Sequence, residues 1–235
     1  PRLFFVVNDA GSSDQTLDIL SKYKPWISYI RIGPDSGQAS ALNEGFDLFL
    51  SKAHSSNSVL GWLNSDDIYL PNSLNMLAAA IQRNSHDLYY GDSLVMSSDG
   101  LSVTYHLNPM VSKHNLRKGG ILASHATFWS STIHQPLDER YHCALDYELW
   151  LRIAFKASKL YIPSPLGAIR IHPDAKSHSK SWKSTWNQEA DLNGALYPYL
   201  YGSNKIYDFL DNCSYKLRRL ITAPRVKSTM SDLIV

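Results

Sequence analysis

Few cysteines, no long apolar run and almost no net charge exclude several protein classes at the outset. The 235 residues carry two cysteines, Cys143 and Cys213, far apart and in no metal-binding spacing. A disulfide scaffold is thereby excluded, and a reducing cytoplasm is the expected compartment. No apolar stretch approaches the roughly 18 to 20 residues of a spanning helix, and no signal peptide is visible. With 23 Lys and Arg against 21 Asp and Glu, the net charge of +2 gives no bulk field for nucleic acid. There is no G-x-G-x-x-G and no Walker A sequence, which argues against dinucleotide and P-loop sites. What the chain does have is a 44% hydrophobic fraction, enough for a substantial core, with 14 Tyr and 6 Trp. Exposed aromatic rings of this kind stack on sugar rings or bases.

Periodicity then sets the fold class. Leu3–Val7 is a continuous apolar run, as in a strand buried on both faces, and it ends in the polar loop Asn8–Asp14. Thr16–Tyr23 has helical spacing, Trp26–Ile32 reads as a strand and Gln38–Ala53 as a helix. Val59–Leu63 reads as a third strand and Pro71–Arg83 as a helix with proline in its first turn. This alternation predicts a parallel sheet flanked by helices. Asp87–Met96 and Leu101–His106 form a candidate strand pair around Ser97–Gly100. Ala126–Trp129, Tyr161–Ile162 and Leu166–Ile171 read as short strands, Ala144–Ala157 as an amphipathic helix, and the chain from Trp182 onward as mostly helix.

Chemistry-bearing residues fall in the loops. Val59–Leu63 runs into Asn64-Ser65-Asp66-Asp67. Adjacent carboxylates at the carboxyl end of a strand repel unless a positive group sits with them, and their oxygens suit Mg²⁺ or Mn²⁺. The same pair also suits a helix cap. Asp9 precedes the Gly11-Ser12-Ser13 turn, whose backbone N–H groups attract anions while the carboxylate accepts from a base or ribose. Asp35-Ser36-Gly37-Gln38, followed by Asn43, is a second polar loop expected on the same sheet edge. Asp146 lies near a helix start, suited to a general base, to a cap, or to a surface pair with Arg152. Arg170 and His172 end a further strand and suit a metal or a pyrophosphate.

Taken in order, these segments resemble family 2 glycosyltransferases of the GT-A fold. Asn8-Asp9-Ala10-Gly11-Ser12-Ser13-Asp14-Gln15-Thr16 is similar to that family's D-x-G-S-x-D-x-T loop. Asp35-Ser36-Gly37-Gln38 through Asn43-Glu44-Gly45 is similar to its D-x-G-Q…A-x-N-x-G segment. Asn64-Ser65-Asp66-Asp67 is similar to its D-x-D region, Leu145–Arg152 to the helix bearing its base, and Arg170-Ile171-His172-Pro173 to its R-x-H-P element. The resemblance covers most of residues 3 to 175.

It implies an inverting transfer from a nucleotide-diphospho-sugar, a UDP-sugar above all, to a saccharide or lipid-linked acceptor in surface polysaccharide synthesis. Asp146 would be the base. Asp9, Ser12, Asp35, Gly37, Gln38, Asn43 and Arg170 would bind the donor. Asp66, Asp67, Asn64 and His172 would hold Mg²⁺ or Mn²⁺. Acidic side chains distant in the chain, Asp9, Asp66 and Asp146, are expected around one shared cation site.

Two departures stand out. Asn64 replaces the first Asp of D-x-D, and the chain begins after the family's usual first strand–helix unit. Upstream residues, another segment or a second subunit would then complete the nucleotide pocket, and an uncovered strand edge would invite homo-oligomers. The expected organisation is a GT-A-like domain over residues 1–175 and a helical extension over 176–235. The basic tail with Lys216, Arg218, Arg219, Arg225 and Lys227 would offer peripheral contact with the inner face of the membrane. A non-catalytic sugar-nucleotide-binding or assembly module is the alternative, and a nucleotidyltransferase a more distant one.

Overall fold

The computed structural model describes residues 3–52, 58–106, 108, 111, 116, 122–177, 179–197 and 213. The basic tail lies outside them. Strand β1 (Val6–Asp9), helix α1 (Thr16–Tyr23), strand β2 (Tyr29–Ile32) and helix α2 (Gln38–Lys52) follow the expected βαβα order. β1 and β2 pair in parallel, with Asp9 opposite Ile32, so the loops after both strands open on one edge. Strand β3 (Val59–Leu60) is shorter than its apolar run. A second short strand, β4 (Ile68–Tyr69), precedes helix α3 (Ser73–Arg83). Strands β5 (Leu88–Met96), β6 (Val103–His106) and β7 (Thr127–Ser130), helix α4 (Leu145–Ile153), strand β8 (Lys159–Arg170) and helix α5 (Lys183–Leu196) complete the described order.

The sheet is more mixed than the alternation predicts. β1 and β2 form one small sheet; the other runs β3-β7-β5-β8-β4, with β6 beside β5. β5 and β8 are parallel, but β3·β7, β5·β7, β5·β6 and β4·β8 are antiparallel. The reason is local. β5 and β6 form a hairpin around Ser97–Gly100, and β4 begins directly after Asp67, too soon after β3 for any crossover helix. α2 spans both sheets. Phe49 meets Phe4 beside β1, while Phe46 packs edge-on against Trp129 of β7 at 5.4 Å between centroids. Phe5, Trp26 and Ile32 are exposed on the small sheet and its flank.

An aromatic cluster fixes the distance between two loops that matter below. Trp62 stacks on Trp150 of α4 at 5.7 Å and 8° between planes, and Trp129 meets both edge-on. Trp62 sits two residues before Asn64; Trp150 sits one helical turn beyond Asp146. Packing of these rings therefore ties the acidic turn to the start of α4. Trp150→Ala should cost about 3–5 kcal/mol of unfolding free energy, because it removes a fully buried ring and its Nε1 donation to Leu122 O. Denaturant titration measures this loss; a change below about 1 kcal/mol would mean that the ring does not knit the core.

Candidate functional site

The acidic turn is built by two short strands that leave the sheet in different directions. β3 delivers Trp62 and Asn64, and β4 carries the chain away after Asp67. Neither carboxylate caps α3, whose N-cap is Asn72 with a left-handed φ of 63°. The two neighbours differ sharply in environment. Asp67 is buried, 6% exposed: one oxygen accepts from Arg170 N at 3.1 Å, and the other from Asn64 Nδ2 at 3.2 Å. Desolvation, reinforced by the Asp66 charge, pushes its pKa up to about 6. Asp66 has a 39% exposed side chain, and its carboxylate has one hydrogen-bond partner among the described residues, His172 Nε2 at 3.0 Å.

Around this pair the structure assembles several of the expected residues. Gln38, at the first position of α2, donates from Nε2 to Asn64 Oδ1 at 2.8 Å. Arg170, at the end of β8, donates through Nε to Asp66 O at 3.2 Å and through a terminal nitrogen to Ser98 O. Lys176, which sequence reasoning did not single out, donates to Gln38 Oε1 at 3.0 Å and to His142 O at 2.8 Å. A continuous hydrogen-bonded path thus runs from Asn64 through Gln38 and Lys176 to the loop that leads into α4.

A second residue missed from sequence organises that loop. Glu189 of α5 is 4% exposed and accepts from the backbone N–H groups of His142, Cys143 and Ala144, at 2.6 to 3.2 Å. Asn193, one turn later, accepts from Tyr141 OH at 2.8 Å. α5 therefore supplies an anion to the N-terminal end of α4, where orphan N–H groups need one. Glu189→Ala should lower stability by about 3–5 kcal/mol, because the buried donors lose their acceptor. Glu189→Gln, which keeps an acceptor oxygen, should cost markedly less, and thermal unfolding of the pair checks this. Equal losses would show that the backbone donors are not what the side chain serves.

Asp146 follows in the first turn of α4. Its carboxylate is half-buried and accepts from Tyr147 N at 2.7 Å. Burial, with a smaller contribution from the Glu189 charge, raises its pKa to about 6. Arg152 does not pair with it. That guanidinium is bidentate on buried Glu148, at 2.6 and 2.7 Å, and Tyr197 OH donates to the same carboxylate.

The remaining expected site residues make their hydrogen bonds with other partners. Asp9 spends its carboxylate on its own loop, accepting from Gly11 N, Ser12 N and Ser12 Oγ at 2.6 to 2.9 Å, and the Ser12 bonds lower its pKa. Asp35 accepts from Gly37 N at 2.9 Å, where φ of 114° suits glycine. Asn43 clamps the backbone of Leu137 in both directions. Among the described residues, no three His, Cys, Asp or Glu side chains converge as metal ligands. Asp9 is engaged within its own loop, and the helix bearing Asp146 is joined to the acidic turn through the Lys176 path and the Trp62–Trp150 stack. Asp66 with His172, half-open to solvent, is the pair whose chemistry would suit a hard cation. Asp67 and Asn64 hold the turn's shape.

Comparison with known proteins places this geometry. Residues 4–141 match the family described as Glycosyl transferase family 2, and the chain belongs to it. The relatives include a PGL/p-HBAD biosynthesis glycosyltransferase of Mycobacterium bovis (strain BCG / Pasteur 1173P2) and its namesake in Mycobacterium tuberculosis (strain ATCC 25177 / H37Ra). Each is 29% identical over 153 residues, 63% of this chain and 56% of theirs. The chain thus matches about half the length of these relatives. Among solved structures, S. aureus TarS 1-349 in complex with UDP aligns with a TM-score of 0.53 and 17% identity, covering 72% of this chain and 52% of that one. A further structure of S. aureus TarS 1-349 gives 0.51, at 17% identity, over 71% of this chain and 51% of that one. The fold is GT-A.

Proposed function

We propose that this chain is an inverting glycosyltransferase that moves a sugar from a nucleotide-diphospho-sugar to a hydroxyl of a saccharide or lipid-linked acceptor. The observation that carries the reading is the path from Asn64 through Gln38 and Lys176 to His142, because it makes one site of an acidic turn and the helix bearing Asp146. UDP bound to TarS supports a uridine nucleotide as the donor's carrier.

Asp146 takes the proton of the acceptor hydroxyl. The oxygen so activated attacks the anomeric carbon, and the bond to the diphosphate breaks as its bridging oxygen leaves with the electron pair. A carboxylate of pKa about 6 is mostly ionised at neutral pH yet basic enough to accept the proton. Asp66 and His172 would hold Mg²⁺ or Mn²⁺, which when bound neutralises the leaving diphosphate. Asp9, Ser12, Asp35 and Gly37, at one edge of the small sheet, would meet the nucleoside. Asp9 would offer the remaining lone pair of the oxygen that Ser12 Oγ bonds. Donor and acceptor held together supply much of the acceleration.

Action at the inner face of the membrane, with the basic tail beside a lipid-linked acceptor, belongs to the same reading, as does a second copy beside the exposed small sheet. Among the described residues no helix is long and apolar enough to cross a membrane. Incubation with a panel of nucleotide-diphospho-sugars and Mn²⁺ tests the function. Metal-dependent release of a nucleoside diphosphate from at least one donor is expected. Binding without release favours the non-catalytic module, and pyrophosphate release from a nucleoside triphosphate would indicate a nucleotidyltransferase.

A further inference from the structure

We propose that Lys176 is the cation that receives the donor's diphosphate, an assignment that rests on the transferase reading above. Among the described residues its ammonium donates to two neutral oxygens, the Gln38 amide and the His142 carbonyl, beside the Trp182 ring. Among the described residues no carboxylate pairs with it. An ammonium has three N–H donors, so one remains for an incoming acceptor, and neutral acceptors yield readily to an anion.

The placement is specific. His172 O accepts from Ala175 N at 3.0 Å, so His172 and Lys176 project from one tight turn. From it the His172 imidazole reaches Asp66, while Lys176 reaches Gln38, which itself holds Asn64. The two arms thus flank the acidic turn. Arg170 cannot serve as freely, since its guanidinium is committed to Asp66 O and Ser98 O.

The Lys176 backbone is fixed from behind. Its carbonyl accepts from Trp186 Nε1 at 3.1 Å, and the Trp182 ring centroid lies 5.4 Å from Nζ. A side chain anchored at its root and held at its tip by exchangeable partners suits a charge that moves a short way onto a ligand. When the diphosphate leaves, the negative charge grows on its oxygens, and Lys176 meets that charge without transferring a proton or forming a bond.

The rival role is a strut between α2 and the loop before α4. Calorimetry with UDP, GDP and dTDP in the presence of Mn²⁺, and saturation-transfer NMR with the matching nucleosides, separates the two. In Lys176→Met, diphosphate binding should weaken by about tenfold to a hundredfold, with nucleoside binding and melting temperature unchanged. Lys176→Arg should recover most of the loss. Equal weakening of diphosphate and nucleoside would make Lys176 a strut, and unaltered diphosphate binding would remove it from the site. A wild-type chain that binds none of the diphosphates would overturn the transferase reading itself, and this assignment with it.

Discussion

Asp66→Ala should abolish metal-dependent binding of a nucleoside diphosphate while leaving the fold intact. The side chain is 39% exposed, and among the described residues its one partner is the half-exposed His172, so its removal opens no cavity and orphans no buried donor there. Its loss takes away the carboxylate of the Asp66–His172 pair, and a lone imidazole is a poor site for a hard cation. Turnover should fall by about a hundredfold to a thousandfold, the usual consequence of losing an electrostatic stabiliser of the leaving group. Asp67→Asn is the contrasting variant. That residue is buried against Arg170 N and Asn64, so its replacement should perturb the turn and the melting temperature more than metal dependence. Calorimetry of UDP with and without Mn²⁺, beside thermal melts of both variants, reads the difference. Unchanged metal dependence in Asp66→Ala would transfer the cation to other residues.

The contrast between the two aspartates marks where sequence reading stops. Asp66 and Asp67 are the same letter in adjacent positions, and only β4 pairing with β8 decides which of them turns inward. β4 was invisible because Ile68-Tyr69 is two residues long and abuts Pro71, in a stretch that reads as a helix start. The strongly periodic α1, α2 and α3 were legible almost to the residue, because their apolar spacing needs no distant partner.

β8 shows the opposite case. Tyr161–Ile162 and Leu166–Ile171 read as two short strands, yet one strand runs through Pro163 and Pro165. The register slips where they fall, from Gly91 opposite Ile162 to Asp92 opposite Pro165 and Ser93 opposite Gly167, so irregular pairing absorbs the missing N–H groups. Gln38, Asp66, Arg170 and His172, which the structure brings together around the turn, stood out in the sequence because each sits in a distinctive loop. Glu189 and Lys176 were not. Their partners, the 142–144 backbone and Gln38, are remote in sequence, and neither residue carries a local signal. His125, buried with Nε2 2.5 Å from Ser93 Oγ and Nδ1 3.9 Å from Asp67, was likewise hidden behind the turn it supports.

Asp146→Asn should eliminate transfer and yet make the protein more stable at neutral pH. The amide keeps an oxygen for Tyr147 N but cannot accept the acceptor's proton, so kcat should drop by about a hundredfold to ten-thousandfold while donor binding is retained. In the wild type the acid limb of kcat/KM should follow the Asp146 pKa of about 6, with activity rising as pH rises through that value. The stability effect has the opposite sign. A carboxyl group is half-ionised near pH 3.9 in an unfolded chain, about two units below its value here. Between roughly pH 4 and 6 the folded state therefore binds more protons, stability falls as pH rises through that window, and the full cost stands above it. Removing the charge should recover about 1–3 kcal/mol at pH 7 and almost nothing at pH 4. Asp67 titrates over the same range, but it is present in both proteins, so the difference between the two denaturation curves isolates Asp146. A variant that loses activity without gaining stability at pH 7 would mean that this carboxylate is not desolvated. A variant that retains transfer would mean that it is not the base.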